Sequence, residues 1–227
     1  MAGTAGHTDP ESSGAVINLK DYRDAYHYFT AAGKMYDNLN KIYDSALNHK
    51  ELYRIAADIV KREFTSIKIS SSPGSVKKHF TGALTPDRFE NDLTALLCGC
   101  QKIYLIHVPV GAGSERMLTI FMDSAIYRGL RTEGYYCPTK PAAKLEHLII
   151  PEMGVAFVTS DPYHAIPRSA LRSDAEVVAV DLKRVYHDDL IRREENILRS
   201  SKQKMDELLE KGIYHLRQAK KGSRSCS

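Results

Sequence analysis

The sequence predicts an α/β fold, a mainly parallel sheet flanked by helices, with a helical hairpin on its N-terminal side. Three observations predict it. Short, continuous apolar runs at Ile103–Val108, Leu145–Ile150, Val155–Thr159 and Val177–Leu182 have the length and β-branched content of strands buried on both faces. Helical patterns separate several of these runs, which favours parallel pairing through crossovers. Finally, residues 20–63 contain no Pro and a single Gly, and repeat apolar positions every three or four residues.

Taken in order, residues 1–19 carry small residues, His7, Asp9-Pro10 and then Gly14-Ala-Val-Ile-Asn-Leu19. A similar series recurs at Thr159-Ser-Asp161-Pro162-Tyr-His164 followed by Val177-Val-Ala-Val-Asp-Leu182. The first copy lacks the buried strand that precedes the second, so it reads as the remnant of a duplicated domain's end. Tyr22, Ala25, Phe29, Ala32, Tyr36 and Leu39 then form a seam of aromatic and small residues, a packing stripe rather than a ligand site. Asn48-His49 breaks that helix, and Leu52, Ile55, Ala56 and Ile59 mark a second one, so the short connection predicts an antiparallel hairpin over 20–65.

Ser70-Ser-Ser-Pro73-Gly74-Ser75 is a linker, and Val76–Phe80 a short edge strand. Thr85-Pro86-Asp87 has the form of a helix start, with Phe89, Leu93, Leu96 and Leu97 facing inward up to Gly99. After the strand at 102–107 a helix carries Met117, Leu118, Phe121, Met122 and Ala125 on one side and closes at Gly129. Gly134–Cys137, Leu145–Ile150, Val155–Thr159 and Val177–Leu182 complete the sheet of the 66–186 domain. A C-terminal helix and a frayed tail occupy 187–227, with Ile213-Tyr-His-Leu216 echoing Ala25-Tyr-His-Tyr28.

Composition narrows the function. A net charge of +4 over 227 residues, with no basic stripe interleaved with aromatics, implies no nucleic-acid partner. No apolar run is long enough to span a bilayer, and residues 1–14 lack the apolar centre of a secretory signal, so a cytoplasmic chain without membrane contact is expected. Cys98, Cys100, Cys137 and Cys226 include no second pair at zinc spacing, and read as thiols in a reducing compartment; no metal site is expected.

The most informative stretch is Gln101–Leu118. An apolar strand meets the cluster Pro109-Val-Gly111-Ala-Gly113, and a helical pattern begins at Glu115. Strand, tight glycine turn and helix N-terminus together form an anion cradle, because unsatisfied backbone N–H groups and the helix dipole point at one place. Gly111, Ala112, Gly113, Ser114, Glu115 and Arg116 are therefore the candidate nucleotide-binding residues. The side-chain chemistry departs from that of a phosphate loop. In the pattern G-x-x-x-x-G-K-[ST], Ser114 stands at the lysine and Glu115 at the hydroxyl that holds Mg²⁺. Asp181, closing Val-Val-Ala-Val, is either a metal-holding acid or a strand-end turn cap. Glu152 is either a general base or metal ligand, or a solvated turn acid. His107 is a nucleotide contact or a satisfied border residue, and His164 beside Asp161 a loop contact.

His79-Phe-Thr-Gly-Ala-Leu-Thr85-Pro86-Asp87, the glycine turn, Gly134-Tyr-Tyr-Cys137, Leu148-Ile-Ile-Pro151-Glu152 and Thr159-Ser160 together resemble the second half of a family of bacterial two-domain P-loop ATPase-like proteins. The resemblance covers residues 66–220 and implies a P-loop NTPase-like domain with ATP and Mg²⁺ as its ligands. Intact members carry Gly-Thr-Gly-Lys-Ser/Thr where this chain has Gly111-Ala112-Gly113-Ser114-Glu115. The acidic residue that such a family places at the end of a core strand falls at Thr159, with Asp161 displaced from it. The resemblance and its departures imply a degenerate phosphate-loop domain, binding nucleotide poorly and acting through an intact P-loop partner or a second copy. The alternatives are an ATPase or nucleotide-dependent phosphotransferase in which Arg116 supplies the charge, and a product truncated from a longer chain.

Overall fold

The computed structural model describes residues 19–80, 83–84, 89–90, 93–137, 144–163 and 165–222. Residues 1–18 of the first copy of the repeat, the Thr85-Pro86-Asp87 helix start, His164 and Cys226 lie outside the described residues, and Leu19, which closes that copy, is the first residue of a helix. A six-stranded sheet forms the centre. Its strands are β1 (Val76–Phe80), β4 (Lys102–His107), β5 (Thr132–Tyr136), β6 (Leu145–Ile150), β7 (Val155–Ser160) and β8 (Glu176–Asp181), in the order β1-β5-β6-β7-β4-β8. A separate two-stranded ladder pairs β2 (Ala83–Leu84) with β3 (Phe89–Glu90). Phe89 is thus in extended backbone, and the helix placed here by its apolar spacing is the short α3 (Leu93–Leu97).

The sheet is mostly parallel. β4 pairs in parallel with both β7 and β8, and β1 does so with β5. β6 runs the other way, antiparallel to β5 and β7. Only Pro151-Glu-Met-Gly154 connects β6 to β7, and Gly154 takes φ 61° to close that turn. Four residues cannot carry a parallel crossover, which needs about a dozen. The short connection therefore dictates the reversal.

Helices cover both faces, as continuous apolar strands require. On one side α2 (His49–Phe64) and α4 (Glu115–Ile126) pack Leu52, Ile59, Phe64, Met117 and Phe121 against Tyr104, Phe157 and Ile150. On the other, Leu93 and Leu97 of α3 join Leu171 and Ala175 over Ile103, Leu105, Ile149 and Val158.

The 20–65 segment corrects one expectation. Asn48 breaks the helix as its sequence suggests, capping α2 by accepting from the Glu51 amide at 3.1 Å. However, α1 (Leu19–Ser45) packs along α6 (Glu195–Gly222), while α2 lies on α4. The seam read from Ala25, Phe29, Ala32, Tyr36 and Leu39 is real, and its partners are Leu198, Met205 and Leu216. The two helices run antiparallel. Asp21 accordingly meets His215 at 3.0 Å, at the opposite end of α1 from Leu39 and Leu198. Gly212 permits a close approach of the two helices, since a Cβ there would overlap the Phe29 ring. A further short helix, α5 (Asp188–Arg193), leads into α6.

Candidate functional site

The glycine turn emerges from the carboxyl end of β4, where open α/β sheets place ligands. Gly111 and Gly113 take φ 88° and 66°, the left-handed region that side chains avoid. Ser114 precedes α4 as its N-cap, is almost fully buried, and turns its hydroxyl away from the helix to hydrogen-bond Thr159. Thr159 in turn donates to the Glu146 carbonyl at 2.6 Å. The loop is thereby tied to β7 and through it to β6.

Two features fill the cradle. Glu115 turns its carboxylate back over its own turn. A Cβ on Gly113 would overlap Glu115 Oε2, so the carboxylate lies against the backbone of the turn. Burial pushes the Glu115 carboxyl above the usual carboxylate range and the nearby Glu146 adds to this, although its own backbone N–H and Lys144 pull the other way. From outside, α1 sits on the turn. Leu39 occupies the space a side chain on Gly111 would need, and Asn40 donates to the Gly111 carbonyl at 3.2 Å. Tyr36 donates to Glu115 Oε1 at 3.4 Å, and Tyr186 to the Ala112 carbonyl at 3.2 Å.

Lys144 is the residue that sequence reasoning passed over. Its ammonium is 2.7 Å from Glu146 and stands over the Tyr36 ring, 4.2 Å from its centre. Burial works against the charge, but Glu146 and the Tyr36 phenol outweigh it and hold the ammonium above its ordinary pKa. Lys144 lines the cavity of about 290 Å³ beside the glycine turn, together with Asn40, Gly113 and Glu115. The reversal of β6 puts it there. Residues preceding an antiparallel strand join the carboxyl ends of its neighbours, so Lys144 and Glu146 flank Thr159 and Asp161. Pro151-Glu-Met-Gly154, four residues long, was the available signal.

The same reversal removes Glu152 from the site. It lies at the opposite end of the sheet, accepting from the Arg131 amide at 3.2 Å. Asp181 ends β8 beside His107 of β4, at the correct end of the sheet, but its carboxylate is exposed and caps the local turn through the Lys183 amide at 2.9 Å. Arg116 reaches Asp44 on α1, with Nη2 at 2.6 Å, and this half-exposed ion pair forms part of the wall of the cavity beside the glycine turn. Asp161 is buried and accepts from the Tyr163 amide at 2.8 Å. The His107 carbonyl accepts from the Leu182 amide at 3.0 Å, beyond the last pair of the β4–β8 ladder. Gly111 to Glu115, Thr159 and Asp161 are thus gathered at one place, with Arg116 on the wall of the adjoining cavity and without Glu152 or Asp181.

Among the described residues, the one group of three metal-capable side chains is Asp21, Asp24 and His215, at the far end of the α1–α6 pair. Cys98 is exposed and Cys100 buried, both as free thiols. No described helix is long and apolar enough to cross a membrane. No family model, curated protein or solved structure matches the chain.

Proposed function

We propose that the chain is a degenerate P-loop NTPase-like domain that binds nucleotide weakly or not at all and acts by associating with a partner, either an intact P-loop domain or a second copy. The observation that carries this reading is the Glu115 carboxylate, folded back against Gly113. A carboxyl group held there fills the space a phosphate needs and, when ionised, repels it. Leu39 and Asn40 of α1 crowd the turn from the other side. Association is supported by β8, an edge strand with β4 as its one hydrogen-bonded neighbour among the described residues.

A second reading is favoured by Lys144. Its ammonium beside the turn would replace the missing loop lysine in an ATPase or nucleotide-dependent phosphotransferase using ATP and Mg²⁺. Calorimetric titration with Mg–ATP separates the two. The degenerate reading expects no binding tighter than about 10 μM, worth roughly 7 kcal/mol. Tighter binding that Lys144→Met abolishes, or turnover of ATP, would establish the enzyme instead.

A further inference from the structure

The α1–α6 pair brings three metal-capable side chains together at the end remote from the glycine turn. Asp21 and Asp24 are three residues apart on α1, a spacing that puts both carboxylates on one helix face. His215 reaches them from α6, and the donor atoms of all three lie within 4.8 Å of one another. His215 Nδ1 is 3.0 Å from Asp21 Oδ1. Two donors on one tetrahedral Zn²⁺, each at about 2.0–2.1 Å, stand about 3.3 Å apart, so this pair already has nearly a ligand spacing. Tyr28 stacks on the imidazole, with ring centres 5.3 Å apart, and fixes its plane. The His215 and Asp21 side chains are 22% and 18% exposed, which leaves room for water to complete a coordination shell.

We propose that Asp21, Asp24 and His215 bind a divalent transition-metal ion, Zn²⁺ by preference, which ties the first turns of α1 to α6. One imidazole with two carboxylates suits Zn²⁺, whereas Mg²⁺ and Ca²⁺ take oxygen donors. The ion takes the place of the hydrogen bond between His215 and Asp21. Neighbouring cations do not block it. Lys20 meets Asp24 only at 3.9 Å and its side chain is 83% exposed, so the pair holds Asp24 weakly. The Lys211 ammonium stands over the Tyr28 ring, 5.9 Å from its centre. The plain alternative is an ion pair of Asp21 with His215 alone, and in that arrangement Asp24 has no part. Since α1 also carries Leu39 and Asn40 onto the glycine turn, a bound ion steadies the helix that crowds it. The inference is independent of the reading of that turn.

Zinc chloride titrated by calorimetry into the full chain, prepared without a polyhistidine tag, should show a saturable site with a Kd below about 100 μM. Saturating Zn²⁺ should raise the melting temperature, and magnesium chloride over the same range should do neither. Asp24→Asn decides between the metal site and the bare ion pair. It leaves the His215–Asp21 contact and the Tyr28 stacking in place and should keep the far-ultraviolet circular dichroism of the parent. It should nonetheless weaken Zn²⁺ by at least about tenfold, and His215→Gln should do the same. Co²⁺ in place of Zn²⁺ reports the donors, and its spectrum should lack the near-ultraviolet band of a cobalt thiolate. Four results overturn the proposal. They are the absence of saturable zinc binding, an affinity unchanged in Asp24→Asn or His215→Gln, an equal response to Mg²⁺, and a thiolate band that places the ion on the cysteines.

Discussion

The Tyr36 hydroxyl on α1 donates to the carboxylate of Glu115 on α4 across 3.4 Å, linking the helix that covers the glycine turn to the residue that fills it. Because burial raises the Glu115 carboxyl, the folded protein holds this proton more tightly than the unfolded chain does. The stabilisation belongs to the protonated form. It is fully present below the unfolded value of about 4.3 and is lost as pH rises through the higher folded value. Glu115→Gln fixes the neutral form. Denaturant titrations of parent and variant should therefore converge near pH 4, with the variant gaining relative stability towards pH 8. Parallel curves across that range would contradict the assignment.

Lys144 and Glu146 form a buried ion pair, with side chains 12% and 1% exposed. Removing one partner strands the other charge. Lys144→Met should cost about 3–5 kcal/mol of unfolding free energy, and Lys144→Met with Glu146→Leu should recover most of it. A double-mutant cycle by urea denaturation measures the coupling. A small single-variant cost, with no recovery in the pair, would mean that the two charges are solvated.

Gly212 lies inside α6, where helix propensity alone predicts a gain of about 1 kcal/mol on changing Gly to Ala. The added Cβ overlaps the Phe29 ring, and the ring is almost fully buried. Gly212→Ala should therefore destabilise by about 1–3 kcal/mol, and Phe29→Leu in the same chain should relieve part of that. Thermal unfolding followed at 222 nm tests the sign.

The elements were legible because they rest on local pattern. The alternation in residues 20–63, the apolar runs of the sheet and the Gly111–Gly113 punctuation each report backbone conformation within a few residues. Pairing was harder to read. That α1 lies on α6 depends on groups nearly two hundred residues apart, and a short α1–α2 connection is compatible with either partner. The direction of β6 was encoded in four residues, yet a run of apolar side chains looks the same read from either end. Glu152 and Lys144 exchanged places for that reason. At the turn itself, the sequence displayed the loss of the lysine and the gain of Glu115. It could not display that the carboxylate folds back onto Gly113, which depends on how Tyr36 and Leu39 close over it.

The reversed strand also bears on the order of assembly. Ile150 and Val155 register as neighbours across a four-residue turn, so the β6–β7 hairpin closes with little loss of chain entropy. Every other ladder of the large sheet must bring together segments farther apart in the chain. The middle of the sheet thus contains its most local contact, a ready nucleus onto which β4 and β5 can dock from either side.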